Sequence, residues 1–187
     1  MLAYVFWHWP AENCDGYEAA VTRFHSAMAT EPFSPVAISG TWALSGVPWA
    51  PSGVGCYADW YLVQGFADLE ALNQVAVSGG VRPSHDQVAS RSGGGAGGLY
   101  RVRSGRPGLG GGWEAWFAKP VGWTYEDVDT AVAAAGPAAG GVLWQRQLVL
   151  GPGPEFCLVT PSARSLPAEL ASVTVRRRPV WEGLRAR

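Results

Sequence analysis

A chain of 187 residues and 19.8 kDa, 48 % hydrophobic and only 16 % charged, has the apolar material to bury an interior, which excludes a largely disordered protein. Lysine and arginine total 14 against 15 acidic residues, and a formal net charge of −1 leaves no electrostatic footprint for nucleic acid or an anionic membrane. No apolar run approaches the ~20 residues of a membrane span, and Met1 to Trp9 lacks a basic leader, so a cytoplasmic protein without a membrane partner is expected. The basic residues are arginine except for Lys119, a bias that looks like GC-rich codon usage and weakens a functional reading of any one arginine. Cys14, Cys56 and Cys157 are widely spaced and form no C-x-x-C pair, so neither a disulfide framework nor a zinc site is indicated.

The first apolar run, Leu2 to Trp9, stops at Pro10 and reads as a strand with Tyr4, Phe6 and His8 on one face and Val5, Trp7 and Trp9 on the other. Tyr17, Ala20, Val21, Phe24 and Met28 then recur at helical spacing, with Asp15 as the expected cap and His25 flanking the stripe as a structural residue. Val36–Ser45 and Cys56–Gly65 read as an antiparallel pair across a Pro/Gly-rich loop. Ala67–Val77 has helical spacing, and Ser84 reads as the cap of a short helical stretch. The glycine run from Ser92 to Gly98 suggests a mobile lid, and Gly98–Arg103 a closing strand.

After a turn-rich connector the order repeats: a strand from Trp113 to Ala118, a helix from Tyr125 capped by Thr124, and strands Gly141–Leu150 and Glu155–Thr160. A weak helical segment near Ser165–Ala171 and a strand Val173–Val180 follow. The chain is thus read as β-α-β-β-α-β twice, with units at 1–103 and 112–187 joined by a connector at 104–111. That unit is the ferredoxin-like arrangement, an antiparallel sheet with both helices on one face. The runs Tyr4 to Trp9 and Trp60 to Val63 are apolar on both faces, so the other face of each sheet must be covered as well, and sheet packed face to face on sheet is expected.

In this order of elements the chain resembles the dimeric α+β barrel superfamily in its single-chain, tandem form. The resemblance implies an α+β fold and a ligand held in the space between the sheets or at its mouths. It covers activities from cofactor-free monooxygenases and isomerases to haem enzymes and plain binding proteins, and fold alone does not choose among them.

Candidate chemistry comes from polar groups on apolar strands. His8, at the end of the most aromatic strand, is a candidate base. Asp59 is costly in the middle of a strand unless paired, and with Tyr57 and Tyr61 on its face it could complete an acid-base site with His8. Trp7, Trp9 and Trp60 are the expected ligand-binding walls of a Trp-lined cavity, with His85 and Asp86 near its mouth. No His pair has metal-ligand spacing, so no metal is expected. The haem-binding relatives draw their ligand from the second unit, which here has no His, although His85 offers another route. Arg176 and Arg178 share a face of the last strand and Arg177 opposes them, as at a protected edge or an anion contact.

The expected function is a small cofactor-independent enzyme, monooxygenase- or isomerase-like, acting on an apolar or aromatic small molecule. The alternatives are a non-catalytic small-molecule or partner-binding protein and a haem-binding protein. Self-association into a homo-oligomer stays open.

Overall fold

The computed structural model describes residues 1–32, 34–135 and 141–184. In chain order it has β1 (Leu2–Pro10), α1 (Tyr17–Thr30), β2 (Ile38–Leu44), β3 (Cys56–Val63), α2 (Ala67–Ala76), α3 (Arg82–Ala89) and β4 (Ser92–Gly105). The second half has β5 (Trp113–Phe117), α4 (Tyr125–Ala134), β6 (Val142–Leu150), β7 (Phe156–Thr160), a 3-10 turn at Ala168–Leu170 and β8 (Val173–Leu184). The expected end of the second unit at residue 187 lies outside the described residues. No helix among the described residues is long and apolar enough to cross a membrane.

The eight strands form one closed antiparallel barrel in the order β1-β3-β2-β8-β5-β7-β6-β4. Residues 1–105 contribute the run β4-β1-β3-β2 and the second half the run β8-β5-β7-β6, so the first, second, third and fourth strand of each half take the same places. Two seams join the runs: β2 pairs with β8, and β4 with β6. The expectation of two sheets facing one another across a ligand space is corrected here. The sheets meet edge to edge, and closure gives every strand a neighbour on both sides. It also removes the protected-edge reading of Arg176–Arg178, since β8 is paired on both sides.

The interior is filled by tryptophan. Trp7, Trp42, Trp60, Trp116 and Trp144 are all buried in one cluster with Tyr100. Trp7 and Trp116 meet edge-on at 5.3 Å between ring centroids, and Trp60 and Trp144 at 5.6 Å. Large planar rings interlock in this way because edge-to-face packing suits their quadrupoles. One ion pair shares the space: Arg177 Nε lies 3.2 Å from Glu114 Oε1, with both side chains closed to solvent and the guanidinium 3.6 Å from the Trp42 centroid.

Helices cover the outer face. Phe24 and Met28 of α1, Leu72 of α2 and Val81 beside α3 pack on Leu2, Tyr61, Val63 and Leu99 of the sheet. In the second half α4 and the 3-10 turn pack Val128 and Leu170 on Ala115, Phe117, Phe156 and Leu158. The expected second helix of that half shrinks to the 3-10 turn, because Pro167 and its neighbours leave too short a run for an α-helix.

Local corrections have local reasons. Gly16, with φ of 73°, occupies the N-cap of α1 in place of Asp15, a left-handed conformation that glycine adopts without strain. Ser84 lies inside α3, its hydroxyl donating to the Val81 carbonyl, so it is not the cap. Thr124 caps α4 in a reciprocal capping box with Asp127, as expected. The glycine run is not a lid. Ser92–Gly98 is the first half of β4, hydrogen-bonded along β1, where absent side chains make room for the rings of β1.

Candidate functional site

β1 lies between β3 and β4, and its even-numbered residues face outward, beneath the helices. Tyr4, Phe6 and His8 stand in file, with Phe6 stacked on both neighbours at 6.3 and 5.8 Å between centroids. Tyr57 continues the file past His8 at 5.6 Å. Cross-strand register sets Phe6 opposite Asp59 and His8 opposite Tyr57, which brings the His8 ring over the Asp59 carboxylate.

His8 Nε2 lies 3.1 Å from Asp59 Oδ1. His25, reaching down from α1, places its own Nε2 3.1 Å from the same oxygen. Both approaches are at ion-pair distance. The Tyr61 hydroxyl donates to the other oxygen, Oδ2, at 2.9 Å. His8 Nδ1 faces the Tyr17 hydroxyl at 2.7 Å. His25 is held as a plate between Tyr61 and Trp181, at 5.3 and 5.1 Å between centroids.

All of this is closed to bulk solvent: Asp59 is 5 % exposed, His8 2 % and His25 0 %. Burial by itself would raise the Asp59 carboxyl, but the neighbouring imidazoles His8 and His25 outweigh it and hold the group well below the usual carboxylate range. Burial, with the Asp59 charge added, pushes the Tyr61 hydroxyl far up. Tyr61 therefore stays protonated and serves as a donor.

The cluster forms one wall of a cavity of about 690 Å³ between the outer sheet face and α1, α2 and α3. His8, Tyr17, Asp59, Tyr61 and Ser92 supply its polar end, and His85 and Asn73 lie elsewhere on the lining. The remainder is apolar, from Tyr4, Phe6, Phe24, Leu72, Val88 and Leu99 to Leu148 and Leu150 of β6. The floor is Gly93 to Gly95. Among the described residues no arginine or lysine lines the cavity, so it suits a neutral molecule with a broad apolar surface. A haem would find an imidazole in His85 but no basic side chain in the lining to meet its carboxylates, and these residues do not fit that group.

The structure thus brings together His8, Asp59 and Tyr61, and sets Tyr57 behind His8, where its hydroxyl donates to Glu18 at 3.0 Å. His85 lines the cavity, its Nδ1 3.0 Å from Asp86 Oδ1, while Asp86 itself is exposed and outside the lining. The tryptophans are placed differently from expectation. Trp7 and Trp60 fill the barrel interior, and Trp9 lies against Gly93 and Gly94, outside the lining. The cavity is on the other side of the sheet from the tryptophans, and its walls are tyrosine, phenylalanine and leucine. Tyr17 and His25 were missed as site residues because Tyr17 falls on the apolar stripe of α1 and His25 flanks it, where periodicity reads both as structural. In the second half Ala115, Phe117, Phe156 and Leu158 occupy the corresponding outer sheet face.

Comparison with solved structures agrees with this architecture. A candidate monooxygenase of Fusobacterium nucleatum superposes with a TM-score of 0.61 over 98 % of this chain and 94 % of its own, at 9 % identity. An anthrone oxidase-like protein superposes with a TM-score of 0.59 over 100 % of this chain and 94 % of its own, at 11 % identity. The chain has the dimeric α+β barrel fold. No protein-family model and no curated protein sequence matches it. At these identities the likeness is one of fold, and the chemistry has to be argued from the cavity.

Proposed function

We propose that the protein is a small enzyme that binds a neutral aromatic or otherwise apolar molecule in the outer cavity and removes a weakly acidic proton from it, the proton ending on His8. The observation that carries this reading is a buried imidazole-carboxylate pair, His8 and Asp59, opening onto an apolar cavity with no arginine or lysine in its lining among the described residues. An anionic Asp59 stabilises the imidazolium that proton removal creates, and exclusion of water strengthens that attraction. The names of the two superposed proteins, a candidate monooxygenase and an anthrone oxidase-like protein, support an oxidation, and the reading takes dioxygen as co-substrate with acid-base chemistry from the protein's own residues and no bound cofactor. The repeated strand order supports two fused ferredoxin-like units, 1–103 and 112–187, of which the first supplies His8 and Asp59 and the second the Leu148 and Leu150 wall.

The test is dioxygen uptake by the purified protein with anthrone, compared with the spontaneous rate and with His8→Ala. Uptake above background that is lost in the variant supports the reading. Tight binding of anthrone without uptake makes this a binding protein, and uptake that survives His8→Ala removes His8 from the chemistry.

A further inference from the structure

Both nitrogens of His8 face protein groups. Nδ1 pairs with the Tyr17 hydroxyl at 2.7 Å, and Nε2 lies at ion-pair distance, 3.1 Å, from Asp59 Oδ1. The pairing assigns the proton positions: Nε2 carries the hydrogen that faces a carboxylate held ionised, and Nδ1 accepts the hydrogen of Tyr17. A hydroxyl that donates its single proton keeps acceptor capacity on its oxygen, part of it engaged by the Ser92 side chain, and Tyr17 lines the same cavity. Tyr57 donates to Glu18 and Tyr61 to Asp59, and it is Tyr17 that pairs with a nitrogen of His8.

We propose that Tyr17 is the catalytic residue that meets the bound molecule, and that the proton reaches His8 only through it. As the bond from the ligand to its acidic hydrogen breaks, a new O–H bond forms on Tyr17, and the original Tyr17 hydrogen moves to His8 Nδ1. The ligand is left as an anion and His8 as an imidazolium facing Asp59, so charge and atoms balance with no further reactant. Burial raises the Tyr17 hydroxyl to about 12, so it passes a proton on in place of resting as a phenolate. His25 acts as a positioning residue: it contacts Asp59 Oδ1 from the far side and lies outside the cavity lining. This inference rests on the proposed function, in which a cavity ligand gives its proton to His8.

The experiment uses 4-nitrophenol, whose ionised form absorbs in the visible, titrated with pH in the presence of the full chain, Tyr17→Phe, His8→Ala and the double variant. In the wild-type protein the apparent pKa of the bound phenol should fall by about one unit or more, a tenfold or larger gain in the ratio of ionised to neutral phenol. Tyr17→Phe should still bind the phenol but lose the shift as fully as His8→Ala, and the double variant should be no worse than either. Ring-nitrogen NMR of the wild-type chain supplies a readout independent of any variant's folding: phenol binding should convert His8 Nδ1 from bare to protonated. A shift retained in Tyr17→Phe and lost in His8→Ala overturns the relay and leaves the proposed function standing. Absence of phenol binding, or a shift that survives His8→Ala, overturns the proposed function and the relay with it.

Discussion

Phe6 leans over Gly95 so closely that a Cβ at Gly95 would stand inside the contact surface of the ring, and only 2.8 Å from the Trp7 carbonyl. Gly97 repeats the relation with Tyr4, whose hydroxyl oxygen would be 3.0 Å from an added Cβ. The bare backbone of β4 is what lets the rings of β1 lie along the cavity wall.

Gly95→Ala should therefore push Phe6 into the cavity. We expect a stability loss of about 1–3 kcal/mol from overpacking and weaker binding of 4-nitrophenol. Phe6→Leu in the same chain should recover part of both, because the two substitutions act on one contact. Urea denaturation and phenol titration of the single and double variants check this; additive effects would separate Gly95 from Phe6.

Asp59 sets an acid limit on stability. Its folded-state pKa lies well below the ordinary value, so its contribution is full above the unfolded value of about 3.9 and is lost as the pH falls through the lower folded value. Asp59→Asn should cost about 1–3 kcal/mol at pH 7. The difference from wild type should narrow as the solution is acidified below about pH 4. Urea denaturation across that range is the measurement, and a gap that stays constant into acid would count against an ionised, imidazole-paired Asp59.

The Glu114–Arg177 pair inside the barrel behaves with the opposite sign. Burial raises the Glu114 carboxyl, Arg177 opposing it, so keeping this group ionised costs stability above the unfolded value of about 4.3 and costs nothing in acid. Arg177→Met removes the opposing charge and should destabilise by about 3–5 kcal/mol at pH 7, since a buried charge is left unpaired. The variant should approach wild type as the pH falls. Adding Glu114→Gln should restore most of the loss at neutral pH. Thermal melting of the two variants at neutral and acid pH tests both statements.

The two halves should not survive apart. Trp7 and Trp60 from the first half pack on Trp116 and Trp144 from the second, and the β2–β8 and β4–β6 seams supply the missing strand partners. Residues 1–105 and 106–187 expressed separately should aggregate or remain unfolded, and co-expression should recover a soluble pair. Two separately soluble halves with cooperative melting would refute a shared interior.

Much of the architecture was legible in one dimension. Strand and helix positions follow from alternation in Tyr4–Trp9 and Tyr57–Val63 and from the helical recurrence of Tyr17, Ala20, Val21, Phe24 and Met28, because these periods are local consequences of backbone geometry. The same alternation correctly set His8 and Asp59 on faces opposite to Trp7 and Trp60. What alternation leaves open is which face turns inward. Both faces of β1 and β3 are apolar, so only closure of the barrel decided that tryptophan fills the inside and that the cavity forms outside, under the helices. His25 and Tyr17 joined the site for the same reason: a helix stripe reads as core from its period, and the packing of α1 across β1 and β3 is what sets those side chains against Asp59 and His8. The glycines of β4 read as a mobile lid and are instead part of a strand, because their use is the space they leave, and that space is defined only by rings from another strand.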